Sequence, residues 1–247
     1  MVKKSVGGYN LNVNECNTLR PGAYVSDAII NSYLEVIMAD KNIEEGCEMM
    51  PSQFAQKIAS EVGEEHHIYE DMIPDLVTWA SAALKRYNAR KPENNCPSIL
   101  NLKYLFIPVC ENSHWFLVVV KFSTKDVVVL DSLGSSLEDH KDSLATRWTR
   151  LIIHFLSLIR RQDIGWPLVG EWQSHQWERK VILNCPKQKN GYDCGMFLLA
   201  VAELVALGRR VNVCGDSIVE HMRKRVACTL AKDRPELDGG LSPPTEK

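Results

Sequence analysis

The sequence has no long hydrophobic run and no surplus of charge of either sign. No apolar stretch approaches the roughly 20 residues that a membrane-spanning helix needs. Residues 1–8 lack the apolar core of a signal peptide. The formal net charge of the 247 residues is -2, which gives the molecule as a whole no electrostatic footprint for nucleic acid. We therefore expect a globular monomer that binds neither membranes nor nucleic acid.

Cysteine is present, but its spacing is not that of metal ligands. The eight cysteines form no CxxC pair and have no zinc-finger spacing, so we expect no metal and no cofactor. A chain of this length does not need disulfides for stability. Cys110 and Cys228 lie in apolar runs, where we expect small buried thiols. Reduced cysteines indicate the cytoplasm or nucleus, or a host cell if the protein is a bacterial effector.

Helical periodicity dominates the chain up to residue 97, and strand patterns follow it. Helix starts are predicted at Ser26 or Asp27, at Pro51 and at about Asp75. Almost continuously apolar runs, typical of strands covered on both faces, span Tyr104–Val109, Trp115–Phe122 and Asp126–Leu130. A further strand is predicted at Trp177–Leu183, and further helices at Lys141–Arg161, Cys194–Leu207 and Ser217–Ala231. We predict a mainly helical part over 1–97, a sheet-containing part over 98–233 and a flexible tail over 234–247.

Cys194 stands where a polar loop meets a very apolar helix. A thiol at a helix N-terminus lies at the positive end of the helix dipole, which lowers its pKa and favours the nucleophilic thiolate. Gly195 is predicted to keep the approach to the sulfur open. The neighbouring Asp193 opposes ionisation, so we predict that it caps the helix and that a cationic histidine stabilises the thiolate. A buried core cysteine is the alternative interpretation.

His114 is the candidate base, because it begins a predicted strand and would be held by a sheet. Asp131 directly follows the next strand. If the two strands form a hairpin, His114 and Asp131 lie at the same end of it, close enough for a hydrogen bond. A solvated turn histidine and a turn-forming aspartate are the alternatives.

Gln188 lies in the loop that leads to Cys194. Its amide could donate to a developing oxyanion together with the Cys194 N–H. A solvated loop glutamine is the alternative.

In this order the motifs resemble those of the ubiquitin-like-protein-specific cysteine proteases, which process SUMO and its relatives. The matching segments are His114-Trp115, Asp131–Gly134, Gln188–Gly195, Leu105–Val109 and Leu19–Tyr33. The resemblance extends from about residue 19 to residue 231. It implies an α+β papain-like cysteine protease fold, with a mixed central sheet flanked by helices and an N-terminal helical lobe.

The resemblance also implies roles for individual residues. Cys194 would be the nucleophile, His114 the base, Asp131 its orienter and Gln188 part of the oxyanion hole. Trp115 and Tyr24 would enclose the Gly-Gly end of a modifier (SUMO first, a Nedd-type protein or ubiquitin otherwise), and Asp27 would contact substrate. Where the family's N-terminal motif usually has Trp and Asn, this chain has Tyr24 and Ser26, which leaves the choice of modifier open.

Two other functions are compatible with the same motifs. Some relatives with this triad transfer acetyl groups to proteins, although the pairing of Trp115 with Tyr24 favours a diglycine channel. A pseudoenzyme would grip a modifier without cleaving it. The presence of all four catalytic residue types argues against the pseudoenzyme.

Overall fold

The computed structural model of the protein describes residues 4–6, 8–60, 73–134, 143–164, 177–181, 185–211 and 216–232. Its helices are α1 Val13–Asn17, α2 Asp27–Ala39, α3 Ser52–Ser60, α4 Ile73–Arg90, α5 Leu144–Ile164, α6 Cys194–Ala206 and α7 Asp216–Ala231. Its strands are β1 Lys4–Val6, β2 Tyr9–Leu11, β3 Cys47–Met49, β4 Tyr104–Glu111, β5 His114–Lys121, β6 Asp126–Leu130 and β7 Glu178–Val181. The helix and strand starts predicted within these ranges lie within a few residues of the observed ones.

A mixed sheet in the order β3-β4-β5-β6-β7 forms the centre of the molecule. Strands β4, β5 and β6 make an antiparallel meander. Both outer strands are parallel to their neighbours, β3 to β4 and β7 to β6. The predicted α+β class with a mixed sheet between helices is confirmed.

Strand β3 lies within the part that the sequence predicts to be mainly helical. Its three residues pair with Tyr104–Phe106 at one edge of the sheet. Such a short segment has too few residues to show a strand period. The region before residue 97 therefore contributes to the central sheet as well as packing against it.

Helices cover both faces of the sheet, as its continuously apolar strands predict. Side chains of β5 alternate between two hydrophobic cores. Trp115, Leu117 and Val119 lie in a core shared with α2, α6 and α7. Phe116, Val118 and Val120 lie in a core shared with α3, α4 and α5.

Other predictions are corrected or fall outside the described ranges. Cys228, expected to be buried, is exposed, because Met222, Val226 and Leu230 occupy the inner face of α7. The predicted loop at 61–71 and the predicted tail at 234–247 lie outside the described residues. Within those residues, no helix is both long and apolar enough to cross a bilayer.

A buried ionic network joins α2, β3 and α4. Glu48 on β3 is fully buried and forms an ion pair with Arg90, which also bonds Glu35 of α2 at 2.9 Å. Arg86 contacts Glu35 at 3.2 Å and donates to the Met49 carbonyl at 2.8 Å. Burial raises the pKa of Glu48 to about 7 against the opposing effect of Arg90. The network therefore fixes α2, whose N-terminus reaches the site described below, to the edge of the sheet.

We predict that Arg90→Met destabilises the protein by about 3–5 kcal/mol, because it leaves the Glu48 carboxylate buried with its main partner removed. Lys85→Met, at an exposed position of the same helix, should change stability by less than ~0.5 kcal/mol. Chemical denaturation measures both variants. A loss no larger for Arg90→Met than for Lys85→Met would contradict a structural role for the network.

Candidate active site

A two-residue turn begins the β5 strand and sets the position of His114. Asn112 and Ser113 have positive φ angles of 51° and 62°, and Glu111 pairs with His114 across them. This is the type I′ geometry that matches the twist of a hairpin. His114 is therefore held by strand pairing from its first backbone atom.

The β5–β6 hairpin brings His114 beside Asp131, as the strand order predicts. Leu117 pairs with Leu130, so Asp131 lies one position further along, on the face that carries His114. His114 Nε2 lies 2.7 Å from Asp131 Oδ1. The Asp131 side chain is fully buried, and its Oδ1 also accepts the Leu133 N–H at 2.9 Å. These two bonds fix the carboxylate, and through it the imidazole.

Cys194 is the first residue of α6 and is 2% exposed. Burial alone would raise the pKa of its thiol, but hydrogen bonds from His114 and from the Trp115 and Gly195 N–H groups lower it below 9.0. A sulfur held by these donors is poised to ionise.

The His114 pKa moves in the opposite direction. Burial lowers it, but hydrogen bonds with Asp131 and Cys194 outweigh burial and raise the pKa from 6.5 to about 9. Since Nε2 faces Asp131, Nδ1 is the ring nitrogen left for the sulfur. A raised imidazole pKa beside a lowered thiol pKa favours a thiolate–imidazolium pair at neutral pH, the reactive form of a cysteine nucleophile.

Asp193 does not cap α6 with its side chain, contrary to the sequence prediction. It occupies the N-cap position, yet its carboxylate makes no capping hydrogen bond. Arg223 of α7 binds its Oδ1 at 2.6 Å, and Asn190 Nδ2 donates to its Oδ2 at 2.7 Å. An ion pair with a residue distant in the sequence has replaced the local cap.

Gly195 is needed for packing. A Cβ at this position would lie 2.1 Å from Val25 Cγ1 and 3.3 Å from Trp115 Cδ1. The missing side chain lets the first turn of α6 approach Val25 and β5 closely. That Gly195 also keeps the approach to the thiol open stays a prediction.

Gln188 links the Asp131 loop to the Cys194 loop. Its Oε1 accepts the Ser132 hydroxyl at 2.6 Å, and its N–H donates to the Ser132 carbonyl at 2.9 Å. Its Nε2 donates to the Asn190 carbonyl at 2.6 Å. A place in the oxyanion hole stays a prediction, and it would require the amide to turn from Asn190 toward substrate.

The two aromatic residues expected to enclose substrate have different environments. Trp115 is 5% exposed, and its indole N–H donates to the Val25 carbonyl at 3.2 Å. Tyr24 is 58% exposed, and its hydroxyl lies 3.8 Å from the point where a Gly191 Cβ would stand. Both therefore border the segment that carries Cys194, one as core and one as surface.

Asp27 lies in the first turn of α2, and Ser26, not Asp27, caps the helix. The Asp27 Oδ2 accepts Gln53 Nε2 at 3.0 Å. Its predicted contact with substrate stays a prediction.

Among the other histidines, His154 and His221 lie on helices, and His221 is exposed. His66, His67, His140 and His175 are outside the described residues. No group of three potential metal ligands occurs within the described part of the chain.

Arg223 is a site-lining residue that sequence reasoning missed. It is 6% exposed and shares the inner face of α7 with Val219 and Val226. A charged residue at the spacing of an apolar stripe was the signal that could have found it. Its partner Asp193, 30 residues away, could not be read from that spacing.

The chain matches the Ulp1 protease family, C-terminal catalytic domain, over residues 23–234. It belongs to this family. Ubiquitin-like-specific protease ESD4 of Arabidopsis thaliana is 23% identical over 208 residues, which cover 83% of this chain and 36% of that protein. Sentrin-specific protease 7 of Mus musculus is 31% identical over 80% of this chain and 24% of that protein. The chain thus spans about a third or less of the length of these two relatives.

Solved structures in the Ulp1 group share the fold, which confirms the papain-like α+β architecture. The Ulp1-like SUMO protease catalytic domain of Chaetomium thermophilum superposes with a TM-score of 0.63 at 20% identity, covering 92% of this chain and 81% of that one. The Ulp1 protease domain in complex with Smt3, the yeast ortholog of SUMO, gives 0.61 at 18% identity, covering 91% and 84%.

We predict that His114→Ala raises the pKa of Cys194, because it removes the hydrogen bond and charge that oppose burial. The ultraviolet absorbance of the thiolate, followed against pH with Cys194→Ala as the blank, measures this change. His221→Ala, at an exposed position on α7, is the control and should leave the titration unaltered. An unchanged curve for His114→Ala would mean that the imidazole does not stabilise the thiolate.

Proposed function

We propose that this chain is a cysteine protease that cleaves after the C-terminal Gly-Gly of a ubiquitin-like modifier, with SUMO as the first candidate. The observation that carries the proposal is the contact of Cys194 and Asp131 with the two sides of the His114 ring. Membership of the Ulp1 protease family supports it, as do relatives named ubiquitin-like-specific and sentrin-specific proteases.

The reaction would proceed through a covalent acyl-enzyme. The Cys194 thiolate attacks the carbonyl carbon of the modifier's last glycine, and the resulting oxyanion collapses to a thioester. The leaving amine, from a lysine side chain or a peptide, takes its proton from the His114 imidazolium. Neutral His114 then removes a proton from water, which attacks the thioester and releases the modifier carboxylate. Asp131 orients the ring and stabilises its cationic form throughout.

The oxyanion would be held where the loop meets α6. The Cys194 N–H, at the positive end of the α6 dipole, would supply one donor, and the Gln188 amide would add a second if it turned away from Asn190. Donors that are fixed before the reaction need little rearrangement as the negative charge develops.

Selection of a diglycine end would rest on Tyr24 and Trp115. Residues without a Cβ can pass a narrow channel beside aromatic rings that bulkier residues cannot enter. The 58% exposure of Tyr24 supports a role as the outer wall, and the hydrogen bond of Trp115 to the Val25 carbonyl holds the inner wall in place. Asp27 would contribute a substrate contact near this channel.

The same proposal extends to the partner, the oligomeric state and the location of the protein. The partner would be a modifier and its conjugates, and the protein would act as a monomer in the cytoplasm or nucleus without binding membranes or nucleic acid. Neither acetyl transfer nor modifier binding without cleavage is supported by the comparisons, and no observation at the site favours either.

Cys194→Ala should abolish cleavage, with a loss of about 10⁴-fold or more, because no other group can form the thioester. Modifier binding should survive. A panel of SUMO, a Nedd-type modifier and ubiquitin, each with a C-terminal electrophile, tests the role of the thiol by covalent capture. Titration of the same modifiers without the electrophile against Cys194→Ala measures binding. We expect the wild type to capture SUMO, and we expect Cys194→Ala to capture none of the three modifiers. Capture by Cys194→Ala, or of no modifier by the wild type, would sink the proposal.

The pH profile should report His114. Activity is expected to fall as pH rises through about 9, where the imidazolium loses the proton that the leaving amine needs. Asp131→Asn removes a charge that raises this pKa, so the alkaline limb should move to lower pH and the rate should fall. The measurement is kcat/KM against pH for both enzymes. An alkaline limb at the same pH in both would argue against Asp131 as the orienter.

Tyr24→Ala should relax selection for glycine. Replacing the modifier's second-last glycine by alanine should slow wild-type cleavage by roughly 10²-fold, because the clash displaces the scissile carbonyl. Tyr24→Ala should be less sensitive to that alanine. Measuring both enzymes on both substrates gives a double-mutant cycle. Val13→Ala, which removes another exposed apolar side chain, is the control. Purely additive effects of Tyr24→Ala and the alanine substrate would mean that residues other than Tyr24 select for glycine.

A further inference from the structure

Arg223 is buried near the nucleophile but takes no part in the reaction described above. Its side chain is 7% exposed and lies on the inner face of α7. A charged group in that position must be paired and hydrogen-bonded to be tolerated. Its partners therefore show what the position is used for.

The guanidinium of Arg223 joins two segments that border Cys194. Its Nη2 and Nε donate to Asp193 Oδ1 at 2.6 and 3.1 Å. Its Nη1 donates to the carbonyls of Arg20 at 2.9 Å and Thr18 at 3.3 Å, and its Nη2 to that of Ala23 at 2.8 Å. The first set fixes the residue before the nucleophile, and the second fixes the segment that leads to Tyr24.

The Asp193 contact is unusual for its place at the start of α6. An aspartate at the N-cap normally accepts hydrogen bonds from N–H groups of the first helical turn. Here Arg223 holds one carboxylate oxygen and Asn190 holds the other, so the side chain makes no capping bond. The Gly195 N–H, in the first turn, instead hydrogen-bonds the Cys194 sulfur.

We infer that Arg223 is a positioning residue for the nucleophile: by holding the Asp193 carboxylate away from the α6 N-terminus, it leaves the Gly195 N–H to the sulfur and neutralises the charge beside it. The same guanidinium keeps the segment before Tyr24 in place. This inference rests on the proposed role of Cys194 as the nucleophile.

Loss of the guanidinium would affect the thiolate in two ways. A carboxylate without its cationic partner one residue from the sulfur disfavours a second negative charge. The freed carboxylate could also turn to cap the helix and compete with the sulfur for the Gly195 N–H. Both effects would raise the Cys194 pKa, and both depend on Asp193.

The test compares Arg223→Met with the double variant Arg223→Met/Asp193→Asn. Alkylation of Cys194 by iodoacetamide, measured against pH, reports the thiolate without any modifier, so its outcome is independent of whether the protein cleaves SUMO. Arg223→Met should raise the apparent pKa by about one pH unit and slow alkylation about tenfold at neutral pH. The added Asp193→Asn should reverse most of that change.

Arg225→Met is the matched control. Arg225 lies on the same helix and pairs at 2.6 Å with Glu203, which is fully buried. Its described hydrogen bonds go to Glu203 and Tyr33 and not to Asp193. Its loss should lower stability while leaving the Cys194 pKa unchanged. An equal pKa rise in Arg225→Met, or no reversal by Asp193→Asn, would reduce Arg223 to a structural role and overturn the inference.

Two further variants keep the test decisive if Arg223→Met fails to fold. Asp193→Asn alone should leave the Cys194 pKa at or below that of the wild type, because it removes the charge that Arg223 neutralises. A rise would overturn the inference. Arg223→Lys keeps the charge but loses most of the carbonyl contacts, so it should preserve the thiolate pKa and raise the KM for the modifier more than it lowers kcat. A raised thiolate pKa in Arg223→Lys would overturn it as well.

Discussion

The first turn of α6 packs against strand β5, and this contact sets the distance between Cys194 and His114. The chemistry of the site depends on that distance. The close approach requires the absence of a side chain at Gly195, since a Cβ there would overlap Val25. In this buried setting a hydrogen bond between thiolate and imidazolium is stronger than it would be in water. The same burial would neutralise both groups if they moved apart. A small displacement of α6 would therefore lower the ionised fraction of Cys194 and His114 and also misalign the two side chains.

Buried and partly buried arginines account for much of the long-range order around this contact. Arg90 fixes α2 to the edge of the sheet, Arg225 ties α7 to α6 and α2 through Glu203 and Tyr33, and Arg223 ties α7 to Asp193, next to Cys194, and to the segment before Tyr24. The planar guanidinium suits this role because it can donate to several acceptors in fixed directions without losing its charge. The hydrophobic cores hold the helices against the sheet. These polar contacts fix the positions of the helices relative to it.

The contact of His114 with Asp131 could be predicted because its geometry is local, whereas the approach of Cys194 to His114 joins distant parts of the chain and was implied only by the resemblance. Two adjacent strands and a short turn determine that His114 and Asp131 lie together, and a helix start marks Cys194. The prediction that Asp193 caps α6 was wrong. Its carboxylate forms an ion pair with Arg223, 30 residues away, in place of the local capping bonds. Nor could the edge strand β3 be predicted, because its three residues are ordered by pairing with β4 and not by any pattern of their own.

The type I′ turn at Asn112–Ser113 has a consequence for how such a site can vary in sequence. A two-residue loop with positive φ at both positions has no slack, so its length and the register of β4 against β5 are coupled. Because successive side chains of a strand alternate between the faces of the sheet, a register slip of one residue in β5 would carry the imidazole to the wrong face and separate it from Asp131. Tyr24 is exposed and can be replaced without moving the strands, whereas an insertion at this turn would disturb the strand register that holds His114 in place.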